Sequence, residues 1–127
     1  MQAAYDYGRN IGVAFQLVDD LLDFVSSADQ LGKPAAADMK LGLATAPVLF
    51  ATKKHPHLND LIARRFSQPG DVEEGFKLVI ESGGIEDTKA LARQYCQDAT
   101  SALDLIQDSK YKNALVSLCD KVLNRLN

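Results

Sequence analysis

Residues 15–24, FQLVDDLLDF, set three carboxylates into an otherwise apolar run whose one other polar side chain is Gln16. Asp19 and Asp23 are four apart and Asp20 and Asp23 three apart. In a helix all three acids therefore project from one side, with Gln16 one turn earlier on that side. Three acids this close repel one another and disfavour full ionisation. A divalent cation removes the conflict. Hard magnesium takes oxygen ligands, keeps several waters, and joins one or two carboxylates to a substrate's phosphates. The spacing points to half of a magnesium–diphosphate site. The competing reading is the solvated face of an amphipathic helix. Against it, Ile11, Val13, Ala14, Phe15, Val18, Leu21, Leu22 and Val25 make the helix apolar nearly all round. Such a helix is expected in an interior, where carboxylates need a partner or a metal.

Downstream, Leu31-Gly32-Lys33-Pro34 presents a lysine from a glycine-kinked, proline-stiffened loop. Its ammonium is a compact point charge suited to a phosphate oxygen. Alone, Lys33 reads as a solvated loop lysine; after a carboxylate cluster it is a candidate diphosphate contact. Asp38 reads equally as a helix N-cap or as an acid behind the metal ligands. Arg125, near the C-terminus, reads as a solvated arginine.

The elements that position these residues are helical throughout. The first helix is expected from Gln2 to Ser26, with Gly8 and Gly12 four apart. Glycine inside a helix costs up to about 1 kcal/mol against alanine, so this pair suggests close approach of another helix or a ligand. Residues 26–34 read as a loop. A second helix runs from Leu43 or Ala44 to Lys54, with Pro47 in its first turn. A third covers His57 to Phe66. Residues 67–70 form a turn, and Asp71 with Glu74 reads as a capping box. That helix ends at Gly83-Gly84. Helices over Ile85 to Gln107 and Lys110 to Leu126 complete an all-α chain with no β alternation and no internal repeat. The short connections favour antiparallel neighbours in a bundle or layered array.

Composition excludes several functions. The chain has 127 residues, 46% hydrophobic and 24% charged, the size of one small domain. A net charge of −3 offers no basic field for nucleic acid. No stretch reaches the length of a transmembrane span, and the first residues carry an early acid without the basic segment of a targeting peptide. Cys96 and Cys119 read as buried free thiols of a reducing compartment. His55 and His57, flanking Pro56, read as surface residues rather than metal ligands.

FQLVDDLLDF followed by LGKP, an aspartate and G-x-x-T-x-P resembles the second aspartate-rich region of the trans-isoprenyl (polyprenyl) diphosphate synthases. Residues 37–51 and 64–72 resemble more narrowly the long-chain mitochondrial enzymes that build the ubiquinone side chain. The resemblance covers essentially the whole chain but only the C-terminal part of the family's sequence. It implies the C-terminal part of an isoprenoid-synthase-type antiparallel helical bundle, so that 1–127 is an incomplete polyprenyl synthase domain without the upstream helices and first Asp-rich motif. It also implies a magnesium-dependent prenyltransferase that joins an allylic diphosphate to isopentenyl diphosphate, with two or more Mg²⁺ ions in the complete enzyme. Asp19, Asp20 and Asp23 match the metal-binding acids, with Asp19 foremost. Lys33 matches a catalytic lysine on the allylic diphosphate, and Gln16 and Phe15 match residues lining the substrate cavity. Leu43 stands where many members have a second lysine; Lys40, one turn earlier, is the candidate substitute.

The resemblance further implies a homodimer or a hetero-oligomer with another prenyltransferase subunit. It implies a mitochondrial location, in the matrix or at the inner-membrane surface, and allows peripheral membrane association. With one carboxylate wall, the isolated chain is expected to be inactive, and the surface around Gly8, Gly12 and Phe15 to be an open apolar patch. A truncated paralogue serving as a non-catalytic assembly subunit is the alternative. A terpene cyclase-like protein shares DDLLD in outline, but LGKP and G-x-x-T-x-P are synthase-like.

Overall fold

The structure, a computed structural model, describes residues 2–29 and 45–126. Six α-helices follow in order: α1 Gln2–Asp29, α2 Ala46–Lys54, α3 His57–Ala63, α4 Asp71–Ser82, α5 Gly84–Ala102 and α6 Lys110–Asn124. A 3-10 turn, Leu103–Leu105, follows α5. No strand occurs among the described residues. The all-α expectation holds. The chain divides into two compact units, Met1–Asp19 with Lys89–Asn127, and Asp20–Thr88.

In the first unit, Ala3, Tyr7, Asn10, Ala14, Leu17 and Val18 of α1 are buried, recurring at helical three- and four-residue steps. Ala92, Cys96 and Ala99 of α5 and Cys119 and Val122 of α6 are buried as well. The Tyr7 hydroxyl donates a hydrogen bond of 2.8 Å to the Leu115 carbonyl, tying α1 to α6. Ser109 caps α6, its side chain accepting from the Lys112 N–H.

The second unit is organised around Phe24, Val48, Ala51, Leu58, Leu61, Phe66, Phe76 and Val79. The Phe24 and Phe76 rings meet at 5.0 Å between centroids with a tilt of 39°, within the range favoured by aromatic pairs. Ser82 shapes the passage from α4 to α5. Its hydroxyl donates to the Val79 carbonyl and accepts from the Gly84 N–H. Gly83 takes the left-handed conformation that ends α4, φ 82°, as the Gly83-Gly84 pair predicts. A Cβ on Gly84 would collide with the Pro47 backbone carbonyl.

Several boundaries and one cap differ from the sequence reading: α2 opens at Ala46 behind its N-cap Thr45 rather than at Leu43 or Ala44, and α5 opens at Gly84 rather than Ile85. α1 continues to Asp29 rather than stopping at Ser26, because Ser and Ala there break no helix. α3 ends at Ala63, not Phe66. The Arg65 N–H bonds to the Ile62 carbonyl and the Phe66 N–H to the Leu61 carbonyl, a Schellman ending made without glycine. Arg65 and Phe66 accordingly have positive φ, 55° and 53°, and Phe66 is carried into the core. α5 gives way to the 3-10 turn before Gln107, and α6 stops at Asn124.

The capping box is also replaced. Gly70, in the left-handed region, is the N-cap of α4, and no side chain caps it. The Asp71 carboxylate instead accepts both prongs of the Arg64 guanidinium, at 2.8 and 2.7 Å, and the Gln68 N–H at 3.0 Å. The Arg64 hydrogen bonds hold its carboxyl below the usual carboxylate range against the opposing effect of burial. Asp71, Glu73 and Glu74 still place negative charge on the first turn of α4, where the helix dipole favours it.

Candidate functional site on the first helix

The three acids lie on one uninterrupted helix, so the register read from sequence applies and Gln16, Asp19, Asp20 and Asp23 share a side of α1. That side is not interior. Phe15, Gln16 and Asp23 are exposed, and Asp19 and Asp20 are partly so. The expectation of a helix buried nearly all round is corrected: Val25 and Phe15 lie in solvent, and one stripe of α1 is packed. The helix is amphipathic in its packing although its sequence is apolar on most sides.

Each acid has a distinct environment. The Asp19 Oδ1 is 2.8 Å from a terminal nitrogen of Arg125, with 35% of the Asp19 side chain and 41% of the Arg125 side chain accessible. The same guanidinium lies 5.1 Å from the centroid of the Phe15 ring, within cation–π range. Phe15 and Asp19 are one helical turn apart, so two residues of α1 grip one cation from α6. The Asp20 Oδ2 accepts the backbone N–H of Ala46 at 3.2 Å. Ala46 opens α2, whose N-cap Thr45 makes no side-chain capping bond; Asp20 meets an N–H that the helix itself leaves unpaired. Asp23 faces solvent.

Arg125 is the residue that the sequence reading undervalued. Treated as a solvated tail, it is an ion-pair partner of a principal candidate acid. The signal was present in the spacing: Leu118, Val122 and Arg125 recur at four and three residues, which sets Arg125 on the same side of α6 as buried Val122. Above it on this side, Ile11, Gly12, Phe15, Leu118 and Val122 line an apolar hollow of about 320 Å³. Phe15 and Leu118 are 47% and 45% exposed, and nothing lies within 4 Å of a Cβ placed on Gly8 or Gly12. The expected open patch is there. The close neighbour inferred from the two glycines is absent among the described residues, since each helical glycine faces open space.

Lys33, Asp38 and Lys40 lie outside the described residues. Both cysteines are free and buried. Burial, reinforced by neighbouring Cys119, pushes the Cys96 thiol up to about 11, so Cys96 stays protonated and unreactive at neutral pH. His57 opens α3 at the surface, 3.2 Å from Glu74 and 3.7 Å from Asp60. Among the described residues it belongs to no group of three or more His, Cys, Asp or Glu side chains that could hold a metal ion.

Three carboxylates supply the hard oxygen donors that magnesium selects. No group of three or more His, Cys, Asp or Glu side chains among the described residues converges to hold an ion by itself. One or two carboxylates completed by water and phosphate are the usual magnesium arrangement, and Asp19 and Asp23, both solvent-accessible, fit that role. No described helix is long and apolar enough to cross a membrane.

The polyprenyl synthetase family matches residues 1–79. The chain belongs to that family. It is 50% identical over 124 residues to human all trans-polyprenyl-diphosphate synthase, covering 98% of this chain and 30% of the relative. It is 51% identical over 122 residues to mitochondrial hexaprenyl pyrophosphate synthase of Saccharomyces cerevisiae, covering 95% and 26% respectively. Among solved structures, the Caulobacter crescentus polyprenyl synthase complexed with calcium and isoprenyl diphosphate superposes with a TM-score of 0.73 at 35% identity. That match covers 99% of this chain and 40% of the other. The chain thus spans about 30% of the length of the curated relatives it matches.

Proposed function

We propose that this chain is the C-terminal portion of a trans-prenyltransferase, a polyprenyl diphosphate synthase. Such an enzyme condenses isopentenyl diphosphate with an allylic diphosphate to build the long isoprenoid side chain of ubiquinone. The observation that carries the reading is the uninterrupted α1, which keeps Gln16, Asp19, Asp20 and Asp23 in helical register within the segment matched by the family. The mitochondrial yeast relative supports a mitochondrial location. The calcium and isoprenyl diphosphate bound by the Caulobacter crescentus enzyme support a divalent-cation and diphosphate site, here read as magnesium.

In this reading Asp19 and Asp23 hold Mg²⁺ from one wall, while Asp20 anchors the start of α2. Bound magnesium supplies Lewis-acid stabilisation of the charge that develops on a departing diphosphate. The Gln16 amide and the Phe15 ring line the approach to the reacting ends of the substrates, and Lys33 meets diphosphate oxygens. One carboxylate wall can bind a metal-bound diphosphate, but ionising it needs a facing wall, so catalysis belongs to the rest of such an enzyme, working as a homodimer or with another prenyltransferase subunit. The isolated chain forms no product at the rate of a full-length synthase.

Calorimetric titration with farnesyl thiodiphosphate, with and without Mg²⁺, tests the reading. Binding that appears with Mg²⁺ and is abolished by a chelator supports it. Binding indifferent to the metal, or none in its presence, contradicts it.

A further inference from the structure

The two charged groups at the end of α6 and the middle of α1 are arranged as an exchangeable contact. The Asp19 Oδ1 and the Arg125 guanidinium are 2.8 Å apart and both are partly accessible to water; an ion pair in such a setting is weak and readily displaced. The cation does not depend on Asp19 alone for its place, because the Phe15 ring lies 5.1 Å beneath it. Its backbone lies just past the α-helix. Arg125 follows the last residue of α6, and the Arg125 and Leu126 N–H groups make three-residue bonds to Val122 and Leu123, at 3.3 and 3.0 Å. A guanidinium so held can leave the carboxylate without unfolding the helix.

We infer that Arg125 is a positioning residue for Asp19: its guanidinium pairs with the carboxylate and yields it to a divalent cation. The inference rests on the reading of Asp19 as a metal ligand. One oxygen cannot keep a monovalent cation at 2.8 Å and accept a divalent one without placing two positive charges side by side. Binding of the ion and release of Arg125 are therefore linked, and the cost of release lowers the metal affinity of the resting state. What the contact provides in return is an Asp19 carboxylate oriented before the ion arrives.

The test is titration of the 127-residue chain with Mn²⁺ alone, followed by the electron paramagnetic resonance signal of the free ion. Arg125→Gln is expected to bind Mn²⁺ about two- to fivefold more tightly, the range given by breaking an exposed ion pair. The gain is expected to vanish in an Asp19→Asn background. Lys121→Gln, which removes an exposed charge from the same helix, is expected to give a smaller gain. Unchanged or weaker binding by Arg125→Gln, an equal gain from Lys121→Gln, or a gain surviving without Asp19 overturns the inference. Asp19→Asn that weakens Mn²⁺ binding while Arg125→Gln has no effect overturns this inference alone. Asp19→Asn with no effect overturns the metal-ligand reading beneath it as well. Should Arg125→Gln lose helical circular dichroism, Arg125→Met, which keeps an unbranched stem without the charge, carries the same comparison; no gain there overturns the inference.

Discussion

The Tyr7 hydroxyl donates a 2.8 Å hydrogen bond to the Leu115 carbonyl across 108 residues of sequence. It ties the helix that carries the acids to α6, which Arg125 follows. Burial first, then neighbouring Cys119, pushes the Tyr7 phenol up from 10.0 to about 12. Cys96, on α5, is raised from 9.0 to about 11 by burial first and then by Cys119.

Both groups make the folded chain sensitive to alkali. Each holds its proton more tightly folded than unfolded, so its contribution is complete below the unfolded value and fades as pH rises through the folded one. The free energy of unfolding should fall between pH 9 and 12, on the order of 1–2 kcal/mol for each group. Urea titrations across this range should show the decline. Tyr7→Phe should lose about 1 kcal/mol at neutral pH with the Leu115 bond and decline less steeply at the alkaline end.

Glycine should be replaceable on the exposed side of α1. Gly8 and Gly12 are helical, with open space where a Cβ would go. Gly8→Ala and Gly12→Ala should each stabilise this chain by about 0.5–1 kcal/mol, read as a higher thermal midpoint. A loss of stability at Gly12 would mean that its side of the helix is covered.

The opposite result is expected at Gly84. Its Cβ position is taken by the Pro47 carbonyl, a backbone atom that cannot swing aside. Gly84→Ala should cost about 1–3 kcal/mol by forcing α2 and the start of α5 apart. Denaturant midpoints measured beside Gly8→Ala separate the two kinds of glycine.

The helices were legible where local chemistry decides them. Apolar residues at three- and four-residue steps gave α1, and glycine with positive φ gave the end of α4. Pro47 sits in the first turn of α2, as its missing N–H allows. The Schellman ending at Arg65 had no local sign, because it lacks glycine and is held by burying Phe66. Asp71 shows the same limit: its spacing to Glu74 suits a capping box, yet the Arg64 guanidinium takes the carboxylate. At the candidate site, helical register placed the acids correctly on one side. Their partners, Arg125 for Asp19 and the Ala46 N–H for Asp20, come from distant residues that periodicity does not pair.

The central claim is that the α1 carboxylates bind diphosphate through a divalent cation. Its most direct measurement is the affinity of the chain for inorganic diphosphate in Mg²⁺, compared between the native sequence and Asp19→Ala. The account predicts Mg²⁺-dependent binding that weakens about tenfold or more in the variant, a loss of at least about 1.4 kcal/mol. Equal affinity in the two proteins, or binding that persists in a chelator, would contradict it.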